Sequence, residues 1–138
     1  MVSPYGAWRN QLIKEVIDTQ HAPMAIGTYS QGIKTKSFIF TSGQIPIDPQ
    51  NGELIKDDFK LEVYQVLKNL NAILNEGGSS LHLVVKLTVF LTDLSYFPQV
   101  NEVFNDFFPK DPPARSTVQV TALPMDARVE IEAIGLIQ

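Results

Sequence analysis

Arg115 directly follows Pro112-Pro113-Ala114, so the prolines fix the backbone from which its side chain departs. Its guanidinium is a planar fork that binds a carboxylate through two parallel hydrogen bonds. Two kinds of partner suit it on sequence: the carboxylate of a small ligand, or an internal acid such as Glu130 or Glu132 in Val-Glu-Ile-Glu-Ala. Glu130 in turn can hold and activate a water if it lies within hydrogen-bond reach of a reacting atom; the other reading is an acid on a solvated strand face. Ser42 and Gly43 stand between Phe-Ile-Phe-Thr and Gln-Ile-Pro, where the backbone is expected to take an unusual turn. Tyr29, in Gly-Thr-Tyr-Ser-Gln-Gly, and Asn101, near the start of a helical pattern, add a phenol and an amide that serve a purely structural purpose equally well. The constellation is an arginine, a carboxylate and a few hydroxyl or amide groups.

Other chemistries lack their residues. The chain has no cysteine, hence no disulfide framework, thiolate nucleophile or thiolate metal site. His21 and His82 stand far apart, and no histidine–glutamate spacing supports zinc. Phosphate-cradling glycine patterns and a glycine-flanked nucleophilic serine are also missing. Eleven basic residues against fifteen acidic ones give a net charge of −4, and only Lys34 and Lys36 lie close together. The basic stripe that a nucleic-acid binder needs is therefore not there. Just three arginines occur, Arg9, Arg115 and Arg128, which makes each worth accounting for.

The elements that must position these groups follow from patterning. Ile33 to Lys36 and Phe38 to Thr41 read as a hairpin, and Pro46, Pro49, Asn51 and Gly52 mark a long loop. Asp57 and Asp58 open a helix whose apolar face is Phe59, Val63, Val66, Leu67, Leu70 and Leu74, and Gly77-Gly78 end it. Val85, Leu87, Val89 and Leu91 alternate as a strand. Ser95 is expected to cap a second helix with Pro98 in its first turn and a stripe of Phe97, Val100, Phe104 and Phe107. Ala114 to Ala122 and Arg128 to Leu136 are two further strands, expected to pair as a hairpin. The order β-β-α-β-α-β-β predicts an α+β fold, a mixed sheet with two helices on one face. Before it, Leu12, Ile13, Val16 and Ile17 suggest a short helix.

Pairing the last two strands as a hairpin puts their valines and isoleucines under the helices, because a one-residue slip would exchange the faces. Arg115, Thr117, Glu130 and Glu132 are then expected on the opposite face. With Phe90 and Ile134 also there, that face is too polar for a core and too apolar to lie bare, and another subunit is expected to cover it. The length of 138 residues, with 44% hydrophobic and 19% charged, suits a single globular domain. No apolar run reaches the ~18–20 residues of a membrane span, and no secretory pattern opens the chain, so the cytoplasm is the expected compartment.

The strings APMAIGTYSQG (22–32), FTSGQIP (40–46), VVKLTVFLTDL (84–94), VNEVF (100–104), PPARSTVQVTALP (112–124) and VEIEAIG (129–135) closely resemble the RidA (YjgF-type) family. They occur in the family's order and at compatible spacing. The resemblance runs from about Lys14 to the C-terminus, which separates a leader, residues 1–13, from one RidA-like domain, residues 14–138.

The resemblance implies a chorismate-mutase-like α+β fold, a homotrimer with clefts between subunits, and no cofactor or metal. It implies hydrolysis of reactive 2-imino acids or their enamines, such as 2-iminobutanoate and 2-iminopropanoate, to 2-oxo acids and ammonia. Arg115 falls on the family's carboxylate-binding arginine and Glu130 on the glutamate of the catalytic water. Tyr29, Ser42 and Asn101 fall on pocket positions, Gly43 on a close backbone contact, and Thr117 where many members carry cysteine. Thr28 stands where a proline is usual. An RNA-directed activity, or a carboxylate-binding or chaperone-like trimer without turnover, are the alternatives within the same resemblance.

Overall fold

The computed structural model describes residues 14–138. Strands β1 (Glu15–Ile17), β2 (Gly32–Lys34), β3 (Phe38–Thr41), β4 (Val84–Leu91), β5 (Ala114–Gln119) and β6 (Val129–Leu136) form one sheet in the order β1-β2-β3-β6-β4-β5. Only the β4–β5 pair is parallel. Helices α1 (Phe59–Glu76) and α2 (Phe97–Phe107) cover one face.

Helix α1 forms where its acidic entry predicts. The Asp58 carboxylate accepts from the backbone N–H groups of Lys60 and Leu61, satisfying donors that the first turn leaves without partners. Val63, Val66, Leu67, Leu70 and Leu74 are fully buried against the sheet. At Gly77 a Cβ would stand 2.5 Å from Cδ1 of Ile39, so only glycine lets the helix end this close to the sheet. Helix α2 departs from expectation at its start. A 3-10 turn, Leu94–Tyr96, precedes it, and the carboxylate of Asp93 accepts from the Ser95 N–H. Asp93, with its backbone still extended, caps this turn, and Ser95 caps nothing: the N-cap position of α2 itself is Tyr96, whose side chain makes no capping bond.

Three further expectations change. Leu12 and Ile13 lie outside the described residues, but Val16 and Ile17 form strand β1 rather than a helix. Ile17 is buried in the core while Val16 faces the other way, so pairing with β2 decides their conformation. Second, β5 and β6 are not a hairpin. The segment between them passes β4, so that β5 lies parallel to β4 at the sheet edge and β6 sits between β3 and β4.

Third, this topology redistributes the faces. Arg115 is level with Leu87 and Thr117 with Val89, on the helix side; Val118 is level with Phe90 and Glu130, on the open side. The expectation that Arg115, Thr117, Glu130 and Glu132 share a face is therefore wrong for the first two. The open face does carry Glu130, Glu132, Phe90 and Ile134, together with Phe40 and Val118, each 43% exposed. The expected alternation on β4 also breaks at Val85, which an irregularity between Val84 and Lys86 turns outward.

Candidate active site

Six of the seven residues singled out from sequence fall into two groups. Tyr29, Ser42, Gly43 and Glu130 line a cavity of about 450 Å³ on the open side of the sheet. Arg115 and Asn101 line a second cavity of about 380 Å³, together with Phe104, Asn105, Phe108 and the two prolines of Pro112-Pro113. No residue lines both. Thr117 lines neither; its hydroxyl is buried and has no hydrogen-bond partner among the described residues.

The separation follows from topology. β4 lies between β6 and β5, so Glu130 and Arg115 are two strand spacings apart, about 10 Å, and three residues out of level, about another 10 Å. They also point to opposite faces. No short acid can touch both within one chain.

Around Glu130 the backbone is tightly specified. Gln44 bridges to Ile131, with Gln44 N–H donating to the Ile131 carbonyl at 2.8 Å and Ile131 N–H returning a bond at 3.0 Å. This fixes Gly43 against the Glu130 side chain, and a Cβ on Gly43 would lie 2.5 Å from Oε2. The Ser42 hydroxyl donates to the Ser30 carbonyl. Burial first, and then the like charge of Glu132, holds the Glu130 carboxyl above its ordinary value.

Of the two described arginines, Arg115 is the one without an ion pair among the described residues, so the internal ion pair with Glu130 or Glu132 does not form. Its guanidinium lies over the rings of Phe97 and Phe104, 5.1 and 5.2 Å from their centroids. Burial lowers its pKa from the ordinary arginine value. Arg128 is the contrast. It pairs with the buried Glu62, donates to the Tyr96 hydroxyl and the Lys56 carbonyl, and lies against the rings of Phe59 and Tyr96, which stack on each other.

The sequence model of a family described as Endoribonuclease L-PSP matches residues 19–137. A RutC family protein of Pyrococcus abyssi is 51% identical over 124 residues, covering 90% of this chain and 98% of that one. The 2-iminobutanoate/2-iminopropanoate deaminase of mouse is 44% identical over 127 residues, covering 92% and 94%. The protein belongs to the RidA/YjgF family. The crystal structure of Escherichia coli TdcF with bound serine superposes on this RidA-family chain with a TM-score of 0.85, at 45% identity, covering 90% of this chain and 99% of that one.

Two departures of this RidA-family protein can now be read structurally. Thr28 replaces the usual proline, yet the loop is held by Tyr29 N–H donating to the Gly27 carbonyl at 3.1 Å and by Ile26 N–H donating to the Tyr29 hydroxyl at 3.1 Å. Thr117 keeps a hydroxyl two residues beyond Arg115 on the same face. Sequence reasoning missed Asn105, although it stands one helical turn from Asn101 and so had to share its side of α2. It also missed Met125, whose presence in the Glu130 cavity depends on a backbone conformation that no sequence pattern announces.

Proposed function

We propose that this protein hydrolyses 2-imino acids, with 2-iminobutanoate and 2-iminopropanoate among its substrates, to 2-oxo acids and ammonia without a cofactor. One observation carries the reading: among the described residues Arg115 has no acidic partner, and it faces a cavity beside Asn101. The activity named for the mouse relative supports it. A guanidinium at a cavity lined also by Asn101 and Asn105 suits the carboxylate of a short organic acid.

The two half-sites argue for assembly. In our reading the chain is a homotrimer in which one subunit supplies Arg115 and Asn101 and its neighbour supplies Glu130, Ser42, Gly43 and Tyr29. The apolar residues on the open sheet face support this, since Phe40, Phe90, Val118 and Ile134 would otherwise meet water. The substrate carboxylate binds Arg115, which leaves the iminium carbon before Glu130. Glu130 takes a proton from water as its oxygen bonds to that carbon, giving a tetrahedral amino alcohol. Returning the proton to nitrogen lets the C–N bond break, releasing ammonia as the carbonyl forms and the hydroxyl proton passes to Glu130. An iminium carbon is already electrophilic, so positioning supplies most of the acceleration. No helix among the described residues is long and apolar enough to cross a membrane, and we place the activity in the cytoplasm.

Adding the protein to an amino-acid dehydratase assay should speed release of the 2-oxo acid. Arg115→Ala should lower that gain at least about 100-fold, the loss of a bidentate charge-assisted pair. Equal rates with both proteins would overturn the proposal. The endoribonuclease of the family description is the competing activity. The net charge of −4 weighs against it, and salt-sensitive RNA binding near physiological ionic strength would favour it.

A further inference from the structure

The cavity beside Glu130 is polar on one side only. Glu130, Ser42 and Gly43 occupy one wall, while Met24, Ile26, Ile45, Ile47 and Met125 supply much of the rest. Met24 and Ile26 are 79% and 80% exposed, and Met125 is 54% exposed. Apolar side chains gathered at the mouth of a cavity gain when a ligand's own apolar surface covers them. In the single chain the cavity measures about 450 Å³, and its apolar wall lies beside the acid that the reacting carbon must approach.

Met125 reaches this wall at a conformational cost. Its φ is +57° and that of Asp126 is +59°, a left-handed pair where glycine is the residue at ease. The turn is imposed from both ends: Asp126 N–H donates to the Leu123 carbonyl at 3.2 Å and Ala127 N–H to the Pro124 carbonyl at 3.1 Å. A long thioether held in a strained turn, and directed at a cavity that contains the acid of the site, is placed there for what it touches.

We infer that Met125 is a specificity-determining residue and that the preferred substrates are 2-imino acids with long or branched aliphatic side chains, an inference that rests on the hydrolysis proposed above. Binding of the stable 2-oxo acids tests it by titration calorimetry. 4-Methyl-2-oxopentanoate carries three more side-chain carbons than pyruvate, each worth roughly fourfold when buried, and should bind at least about tenfold more tightly. The ratio of kcat/KM for imines freshly released from leucine and alanine by an amino-acid oxidase should follow.

Met125→Ala should lower both ratios about fourfold or more. Met125→Gly, which relaxes the positive φ, should do the same in a chain that folds at least as readily, and Met125→Leu should keep the preference. A ratio near one in the unaltered protein, or a ratio that neither truncation moves, overturns the inference. Arg115→Ala in parallel separates two failures. Weaker binding of both acids with a flat ratio removes the inference and spares the proposed site; no effect of Arg115→Ala on either acid removes both.

Discussion

Arg115 and Arg128 are the same residue type under opposite constraints. Arg128 neutralises Glu62, which is 1% exposed, so Arg128→Ala leaves a buried charge without its partner. It should destabilise the fold by about 3 kcal/mol, read by chemical denaturation. Arg115→Ala removes no ion pair and should change stability far less while removing activity. Glu130 shows the same division between fold and function. Its raised pKa means the folded state binds that proton more tightly than the unfolded chain. Ionising it therefore costs stability, a penalty that grows from the ordinary carboxyl range up to the raised value and is complete above it. Glu130→Gln should unfold at a higher temperature near pH 7 and lose hydrolysis. The acid limb of kcat/KM should lie above the usual glutamate range, and Glu132→Gln should move it downward by removing the like charge.

At the scale of elements, the site depends on how closely strands are allowed to approach. The Gln44–Ile131 bridge presses Gly43 onto the Glu130 carboxylate. In Gly43→Ala the new methyl would take the place of Oε2, and Glu130 must rotate away. The expected result is a loss of kcat of about 100-fold or more, comparable to a misplaced catalytic group, with near-native circular dichroism. The Arg115 half-site depends instead on β5 occupying the sheet edge. There its helix-side residues reach past the buried layer of Leu87 and Val89 to α2, where Asn101 and Phe104 meet them.

For the whole molecule, the half-sites and the open sheet face call for the same remedy. If three copies close the site, the particle measured by light scattering has three times the mass of the chain. Phe90→Glu, which places a charge on the open face, should dissociate it and abolish hydrolysis although Arg115 and Glu130 are intact. Mixing Arg115→Ala with Glu130→Gln subunits, each inactive alone, should restore about a quarter of the sites on random reassembly, since each site draws on two subunits. Recovery of no activity from mixed trimers would place the whole site on one chain.

Residue types and local periodicity made much of this legible in the sequence. The spacing of Val63, Val66, Leu67, Leu70 and Leu74 fixed α1, since a helix repeats its face every three to four residues whatever surrounds it. The alternation in Val-Glu-Ile-Glu-Ala settled which faces of β6 are apolar and polar, because a strand repeats every two. The chemistry of a guanidinium and a carboxylate was likewise visible as letters. What tertiary structure alone decided is which strands are neighbours. Alternation is silent about partner and direction, so a hairpin and a parallel edge strand read alike, and only the assembled sheet put Arg115 under α2 and Glu130 on the open side. Strand β1 shares that cause. Pairing with β2 makes Val16 and Ile17 extended against the helical spacing of their apolar residues, whereas Asp93 and Met125 sit in turns closed by local hydrogen bonds whose choice among competing turns the packed chain makes.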